Sequence, residues 1–129
     1  MVFKYAHPEW FESIDNPKLS AQDTIILWGA GKLGSVVAHA LKKQGLTIEA
    51  FVDSAKDKQG TFFCEKPVIS PQKLENQYPE AIIIVSCGFP YVYNELKEKR
   101  KYVYDPHSFL LEVDLEGYEG EITLGFACR

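Results

Sequence analysis

The stretch from Thr24 to Asp53 constrains the fold of this 129-residue chain more than any other. It opens with an apolar run rich in β-branched residues, passes through a glycine-rich turn and an amphipathic segment, and closes with a second apolar run that ends in a carboxylate. The glycines are Gly29, Gly31 and Gly34, spaced G-x-G-x-x-G. A strand, helix and strand of this length predict a right-handed crossover between parallel strands. The pattern favours an α/β protein that binds a nucleotide.

Each glycine of such a turn has its own mechanical role. Gly29 permits the tight turn out of the strand, Gly31 lets the backbone approach a pyrophosphate, and Gly34 lets the helix pack closely on the strand. The N–H groups at the start of the helix would then face the anion. The nucleotide-binding residues predicted here are Gly29, Ala30, Gly31, Lys32, Leu33 and Gly34. The alternative is that the glycines only build a turn in a fold that binds nothing.

Asp53 is the predicted ribose contact. It follows Gly34 by 19 residues, close to the ~20 expected for an acid that bonds ribose hydroxyls. A free carboxylate there repels a 2′-phosphate, which favours NAD-like or UDP-like ligands over NADP. Lys56 and Lys58 lie nearby and weaken that exclusion. Ser54, next to the carboxylate, is predicted to belong to the same site.

The helix after the turn has its apolar residues on one stripe of a 3.6-residue period, and Gly45 is placed to end it. A segment containing Pro67 is predicted as an edge strand or extended strip. Ser70 and Pro71 then start a helix as its N-cap and first residue. The remaining predicted elements are a buried strand at Ala81–Ser86, a helix at Tyr91–Arg100 and a short strand at Tyr102–Tyr104.

This order of elements, β-α-β-β-α-β-α-β, predicts a three-layer, Rossmann-like doubly wound α/β fold with a mostly parallel sheet in a single domain. Within the Tyr91–Arg100 helix, Tyr91 and Leu96 are predicted to face inward, with Val92 as a further candidate. The order counts the short apolar piece within Thr61–Ile69, which contains Pro67, as one strand.

Cys87 and Gly88 follow the second buried strand, beside the crevice where such sheets bind ligands. Gly88 would let a ligand approach the backbone. Cys87 is a candidate contact or nucleophile, although a small buried cysteine is the commoner outcome. His107 follows the last strand and is either a surface histidine or a ligand contact. No pattern of catalytic residues is visible, so the catalytic residues stay unknown.

The two ends of the chain are less regular. Residues 1–22 are predicted to form an N-terminal extension with a short helix from about Pro8 to Ile14. Its aromatic residues either cap the sheet or form a dimer contact. Residues 107–129 form a tail without a definite prediction, in which the apolar residues from Phe109 to Leu115 fit a strand or a short helix and Glu121–Phe126 fits a strand.

Composition excludes several classes of partner. Hydrophobic residues make up 46% and charged residues 25% of the chain, as in ordinary globular proteins. The net charge of −4 disfavours nucleic acid, and no apolar run reaches the ~18 residues of a membrane span. Three widely spaced cysteines and the absence of a secretory signal indicate a cytoplasmic protein. The expected partner is therefore a small-molecule nucleotide, without nucleic acid or membrane.

The runs IILWGAGKLGSVVAHALKKQG, IEAFVDSAKDKQG, KPVISPQKL and AIIIVSCG resemble a group of Rossmann-like domains from sugar and polysaccharide metabolism. They are similar to the N-terminal nucleotide-sugar-binding unit of bacterial sugar O-acyltransferases. Similar units precede FkbM-type methyltransferases and occur in sugar-nucleotide dehydratases and C-methyltransferases. The resemblance covers about Thr24 to Gly88, and it implies that Gly29, Gly31, Gly34 and Asp53 contact NAD or a nucleotide-sugar.

No hexapeptide repeat or methyltransferase motif follows the resembling region. The resemblance therefore implies a binding domain for sugar modification that acts with a further catalytic domain or protein. Two alternatives remain. The chain is a small NAD-dependent oxidoreductase, or it is a degenerate Rossmann fold that serves as an interaction or homodimerisation module.

Overall fold

A mostly parallel sheet organises the chain. The computed structural model describes residues 2–3, 19–87, 90–104 and 113–114. In chain order the elements are β1 (Val2–Phe3), β2 (Ile25–Trp28), α1 (Lys32–Lys43), β3 (Ala50–Val52), β4 (Phe62–Phe63), β5 (Lys66–Ile69), α2 (Pro71–Gln77), β6 (Ile82–Val85), α3 (Pro90–Lys99), β7 (Val103–Tyr104) and β8 (Val113–Asp114).

Six strands lie in the order β4-β5-β3-β2-β6-β7. Only β4 runs antiparallel to its neighbour; the other pairs are parallel. The chain leaves β2 toward β3 on one side and later returns to build β6 and β7 on the other. Right-handed crossovers in opposite directions place α1 on one face and α2 with α3 on the other. The predicted three-layer, doubly wound α/β fold is confirmed.

The central strands are buried because helices cover both faces of the sheet. In β2, Ile25, Ile26 and Leu27 are at most 1% exposed, and every residue of β3 is fully buried. Phe51 of β3 also meets the Phe63 ring edge-on, with centroids 5.0 Å apart and planes at 77°. This core holds the carboxyl ends of β2, β3 and β6 in fixed register.

The predicted apolar stripe of α1 faces the sheet. Its residues are all at most 3% exposed: Leu33, Val36, Val37, Ala40 and Leu41. Gly45 ends the helix in the left-handed conformation, with φ +81°. The N–H of Gly45 donates to the carbonyl of Lys42 and the N–H of Leu46 to that of Leu41, both at 2.9 Å. This pair of bonds is a Schellman motif and confirms the predicted end of the helix.

The start of α2 is also as predicted. Ser70 is the N-cap, and its side chain accepts a hydrogen bond from the backbone N–H of Lys73 at 3.1 Å. Pro71 occupies the first helical position, where its missing N–H costs nothing. The helix ends near Tyr78, whose N–H still donates to the carbonyl of Leu74.

The prediction that Pro67 restricts the apolar piece within Thr61–Ile69 to an edge strand or extended strip is wrong. The segment is a hairpin in which β4 pairs antiparallel with β5. Cys64 and Glu65 form its turn with φ of 49° and 66°, as in a type I′ turn. Pro67 does not confine β5 to the edge, because pairing of β5 with β3 begins only at Val68. The edge position falls to β4 instead.

The turn also sets the chemistry of one thiol. Cys64 is exposed, but its surroundings partly desolvate the thiol and raise its pKa above the ordinary value. The neighbouring Glu65 carboxylate raises the pKa further. Because a neutral thiol is a poor nucleophile, Cys64 is not an activated cysteine.

The inward face of α3 differs from the prediction. Tyr91 is 60% exposed, whereas Tyr93 and Leu96 are 8% and 6% exposed. The buried positions continue to Arg100, one residue past the helix end. Their spacing of three and four residues is one helical stripe. The prediction started this stripe two residues too early, while Leu96 is confirmed and Val92 is partly buried.

Arg100 connects the carboxyl ends of α3 and α2 to the start of β6. Its guanidinium donates to the backbone carbonyl oxygens of Tyr78 and Ala81 and lies 3.4 Å from the Glu75 carboxylate. The Arg100 side chain is 4% exposed and that of Glu75 is 55% exposed. The planar fork of arginine suits such a set of divergent acceptors. Arg100 therefore acts as a buried clasp that holds these elements together mainly through the two carbonyl groups.

Near the ends of the chain, β1 pairs antiparallel with β8 in a separate two-stranded sheet. The strand at Val113–Asp114 agrees with the strand alternative for that part of the tail, while β1 was not predicted. The predicted helix at Pro8–Ile14, the predicted strand at Glu121–Phe126, and the residues Gly88 and His107 lie outside the described residues. In the described ranges, no helix has the length and apolar character to cross a bilayer.

Candidate nucleotide-binding site

The carboxyl ends of β2, β3 and β6 meet at the point where the chain changes direction across the sheet. Backbone bonds tie the three ends together: the N–H of Gly29 donates to the carbonyl of Val52 at 2.7 Å, and the N–H of Ser86 donates to that of Trp28 at 2.9 Å. In open α/β sheets, ligands bind in the crevice outside such a switch point. The structure therefore brings the glycine turn and Asp53 together, and it adds Ser86, which the sequence had not assigned to the site.

Gly29 and Gly34 are required by the fold itself. Gly29 has φ +122°, a conformation that side chains with a Cβ rarely adopt. A Cβ on Gly34 would lie 2.2 Å from the carbonyl oxygen of Gly29. The absence of side chains at these positions lets α1 start directly against the end of β2, which is the close helix–strand packing predicted for Gly34.

Gly31 has neither requirement. Its φ of −139° and ψ of −161° are extended values open to any residue, and a Cβ built there would meet no atom of the described residues within 4 Å. Neither backbone conformation nor packing explains a glycine at this position. The backbone of Gly31 instead borders open space, which is what close approach of a ligand demands.

The start of α1 presents a positive helix end. Gly31 is the N-cap and provides no side-chain cap, and the first turn of this fully described helix contains no acidic residue. Lys42 and Lys43 lie in the last turn, where they complement the negative end of the dipole. The predicted binding residues Lys32 and Leu33 form the first turn, with Lys32 exposed and Leu33 buried. An anion over Gly31 would therefore meet uncapped backbone N–H groups.

Asp53 lies at the predicted place, but its carboxylate points inward. It is 2% exposed. One oxygen, Oδ2, accepts the backbone N–H of Ala30 at 3.0 Å, and Oδ1 accepts that of Ala55 at 2.9 Å. The carboxylate thus connects the end of β3 to the middle of the glycine turn. A ribose contact remains a prediction, and it would require the ligand to share or displace these bonds.

Two residues of the loop after Asp53 complete this arrangement. The Lys58 ammonium donates to the carbonyl of Ala30 at 2.9 Å and lies 3.6 Å from Asp53 Oδ2. The Gln59 amide donates to the carbonyl of Asp53 at 2.9 Å. The sequence indicated Lys58 only as a nearby charge, because no local pattern shows that the loop folds back over the turn. Ser54, also predicted for the site, is exposed at the start of this loop.

We expect Asp53→Asn to lower the free energy of unfolding by about 2 kcal/mol without ligand, because charge-assisted bonds to two buried backbone N–H groups are weakened. Chemical denaturation measures this, and Asp57→Asn, an exposed carboxylate of the same loop, is the matched control with little expected change. Equal stability of the two variants would show that Asp53 is not a structural bracket.

At the end of β6, Ser86 braces the turn and Cys87 is closed off. Ser86 is 2% exposed, and its hydroxyl donates to the carbonyl oxygens of Trp28 and Gly29 at 3.2 and 3.4 Å. Cys87 is fully buried. The structure therefore places the Cys87 thiol in the core, where solvent does not reach it, while Ser86 contacts the turn. Sequence reasoning had given Ser86 no role of its own.

A separate groove lies at the other end of the parallel strands, where their amino ends begin. Its volume is about 540 Å³, and it is lined by residues before the amino ends of β2, β6 and β7, including Thr24, Ala81 and Tyr102. Because all three strands are parallel, this end is a full strand length away from the glycine turn. The groove is not part of the candidate site.

A family model for the C2185-like, N-terminal family matches residues 21–103, well over half of the chain. The chain belongs to that family. This C2185-like N-terminal domain is also similar to the crystal structure of UDP-D-quinovosamine 4-dehydrogenase from Vibrio fischeri, with a TM-score of 0.55. The two share 20% sequence identity, and the match covers 66% of this chain and 78% of that chain. At that identity the likeness shows the fold alone. No curated protein matches the chain.

The family match begins before β2 and ends in β7, so it spans the parallel part of the sheet and the helices α1, α2 and α3 of the described residues. The glycine turn, Asp53, Lys58 and Ser86 all fall inside it. The C2185-like domain therefore contains the whole candidate site as one structural unit, with a Rossmann-like fold around it.

Proposed function

We propose that this C2185-like domain binds a nucleotide with a diphosphate group, either NAD-like or a nucleotide-sugar, at the glycine turn. The diphosphate would lie over Gly31 and the start of α1. The proposed role is to hold the nucleotide for sugar modification, while a further domain or another protein carries out the chemistry.

One observation supports the proposal above the others: Gly31 is a glycine that neither the backbone nor the packing requires. Gly29 and Gly34 would also occur in a Rossmann-like fold that binds nothing, because the turn itself needs them. Room over the Gly31 backbone has a use only when another molecule occupies it. The uncapped, acid-free first turn of α1 indicates that this molecule is an anion.

The choice of nucleotide class draws on three weaker observations. The resemblance to nucleotide-sugar domains covers the β2–β6 region, and the structural neighbour is named as a dehydrogenase of a UDP-sugar. Asp53 is partnered by Lys58 at 3.6 Å, so the ribose end of the site is not a free negative charge. Phosphorylated ligands therefore meet little repulsion there.

Binding without catalysis fits the chemistry of the described residues. Among them, the candidate nucleophile Cys87 is fully buried and the Ser86 hydroxyl donates to backbone carbonyl groups. At Cys64, burial and the neighbouring Glu65 carboxylate raise the pKa of the thiol, which disfavours a thiolate. Ser86 and Cys87 are built into the fold, so we assign the reaction to a partner.

A thermal-shift panel with UDP, a UDP-sugar, NAD⁺ and NADP⁺ tests the proposal. A ligand at ~100 times its dissociation constant should add roughly 2.7 kcal/mol to the stability, a readily measured shift. Stabilisation by NAD⁺ alone, with NADH oxidation in the presence of keto-sugars, would favour the oxidoreductase alternative. No response to any of the four ligands would contradict nucleotide binding and favour the interaction module.

We expect the series Gly31→Ala and Gly31→Val to keep the fold and to lose the ligand. Stability without ligand should stay within about 1 kcal/mol of the wild type, because an extended position without close neighbours accepts a Cβ. Affinity for the stabilising nucleotide should fall at least tenfold for alanine and further for valine, since each methyl group occupies space proposed for the diphosphate. Isothermal titration measures the affinity, and unchanged affinity in the valine variant would contradict the proposed position of the ligand.

A further inference from the structure

We infer that Lys58 is a positioning residue for the phosphate-binding turn. Its ammonium group holds the carbonyl of Ala30, and thereby directs the N–H of Gly31 toward the space where the diphosphate binds. The inference rests on the proposed function, and it goes further by assigning the orientation of the turn to a residue of another loop.

The contact spans two separate parts of the site. Lys58 lies in the loop after β3, 28 residues from Ala30 in the turn after β2, and the distance from its Nζ to the Ala30 carbonyl oxygen is 2.9 Å. The side chain is 29% exposed. A lysine in a polar loop would gain little from such an inward position unless its ammonium were bonded, because an unbonded ammonium is better solvated in water.

Peptide planarity transmits the effect. The carbonyl of Ala30 and the N–H of Gly31 belong to one trans peptide unit, in which the two groups point in opposite directions. When Lys58 holds the carbonyl, the N–H of Gly31 must point away from Lys58. The other peptide of Ala30 is held as well, because its N–H donates to Asp53 Oδ2 at 3.0 Å. Ala30 is thus clamped on both sides, so the peptide plane between Ala30 and Gly31 cannot rotate freely.

This clamp answers a problem created by the glycines. A turn with Gly29 and Gly31 has more accessible backbone conformations than one built from other residues. Holding one donor in the binding orientation before the ligand arrives reduces the entropy lost on binding. The Asp53–Lys58 pair does this from outside the turn, so the turn keeps its room for the ligand and still has a defined shape.

The charge of Lys58 is matched to the task. A neutral side chain would leave the Ala30 carbonyl without this donor and the buried Asp53 carboxylate without its cation at 3.6 Å. Lys56 carries the same charge in the same loop but is exposed. A general attraction of phosphate to positive charge would involve both lysines about equally. Of the two lysines, the clamp involves only Lys58.

The test compares Lys58→Met, Lys58→Arg and Lys56→Met by isothermal titration with UDP and NAD⁺ and by NMR titration with uridine and adenosine. We expect Lys58→Met to lower the affinity for the diphosphate ligands about tenfold, because the charge-assisted hydrogen bond that orients the turn is lost. The affinity for the nucleosides should stay within about twofold of the wild type. Lys58→Arg should restore most of the affinity, because arginine also donates to a carbonyl. The Gly31 amide resonance of the free protein should shift in Lys58→Met and stay in place in Lys56→Met.

Three outcomes would overturn the inference: equal losses in Lys56→Met and Lys58→Met, equal losses for nucleoside and diphosphate, or unchanged diphosphate affinity in Lys58→Met. If the wild type binds none of UDP, a UDP-sugar, NAD⁺ and NADP⁺, the proposed function is contradicted instead. The Gly31 amide then decides the role of Lys58 by itself, because an unmoved resonance in Lys58→Met would show that the turn does not depend on the lysine.

Discussion

Gly34→Ala is expected to lower the free energy of unfolding by about 3 kcal/mol. The new Cβ would lie 2.2 Å from the carbonyl oxygen of Gly29, with the carbonyl carbon and an edge atom of the Phe51 ring each at 3.3 Å. These neighbours are backbone or fully buried core, so none can yield cheaply. Alanine is intrinsically better than glycine in a helix by up to ~1 kcal/mol, and the clash outweighs that gain.

Urea denaturation followed by far-ultraviolet circular dichroism measures the effect. Gly31→Ala is the matched control: the same change three residues earlier, at a position where a Cβ meets nothing within 4 Å in the part of the chain that the structure describes. The pair separates the fold-building glycine from the proposed ligand-facing glycine. A Gly34→Ala variant as stable as the wild type would mean that α1 can move away from β2, and the close start of the helix would not be needed.

Arg100→Met is expected to cost about 3 kcal/mol of stability. Methionine keeps much of the buried length of the side chain but leaves the Tyr78 and Ala81 carbonyl oxygens without the guanidinium. These groups join the end of α2 to the start of β6, so the loss falls on the connection that carries the chain across the sheet. Removing one partner of a buried polar pair leaves the other partner unsatisfied, and this costs several kcal/mol. Replacing the whole pair by apolar residues would cost much less.

Thermal and urea unfolding measure the change, and two further variants divide it. Lys99→Met removes an exposed cation from the same helix end and should change stability by less than about 0.5 kcal/mol. Glu75→Gln removes only the ion pair with a carboxylate whose side chain is 55% exposed, and such pairs contribute ~0–1 kcal/mol. If Glu75→Gln were as damaging as Arg100→Met, the ion pair and not the carbonyl bonds would hold the clasp together.

The substitutions separate two layers of the glycine turn. Gly29, Gly34, Asp53 and Ser86 keep the turn in shape through backbone geometry and buried hydrogen bonds. Gly31 and the start of α1 are the surface that the shaped turn presents. Variants of the first kind should lower stability with or without nucleotide, while variants of the second kind should lower affinity and leave the apo protein intact. A Gly31 variant that lost both stability and nucleotide affinity would contradict the division into shape-keeping and ligand-facing residues.

The sequence was sufficient for the elements with regular local patterns. The stripe from Leu33 to Leu41, the end of α1 at Gly45 and the start of α2 at Ser70 depend on contacts within a few residues, so their signals lie in adjacent letters. The hairpin turn at Cys64 and Glu65 was not predicted, because its two residues carry no local turn signal. Type I′ turns are recognised by Asn-Gly or similar pairs, and a Cys-Glu pair gives no such signal.

The sequence by itself determined the parallel α/β order, the glycine turn and the acid at the end of β3, because each depends on periodicity or on a spacing along the chain. Only the tertiary structure decided what these residues contact. It turned the Asp53 carboxylate onto the turn, brought Lys58 across from the next loop and buried Arg100 between α2 and β6. These contacts join residues 19 to 28 positions apart, and they depend on how strands and loops meet in space. No local pattern in a single sequence encodes that meeting.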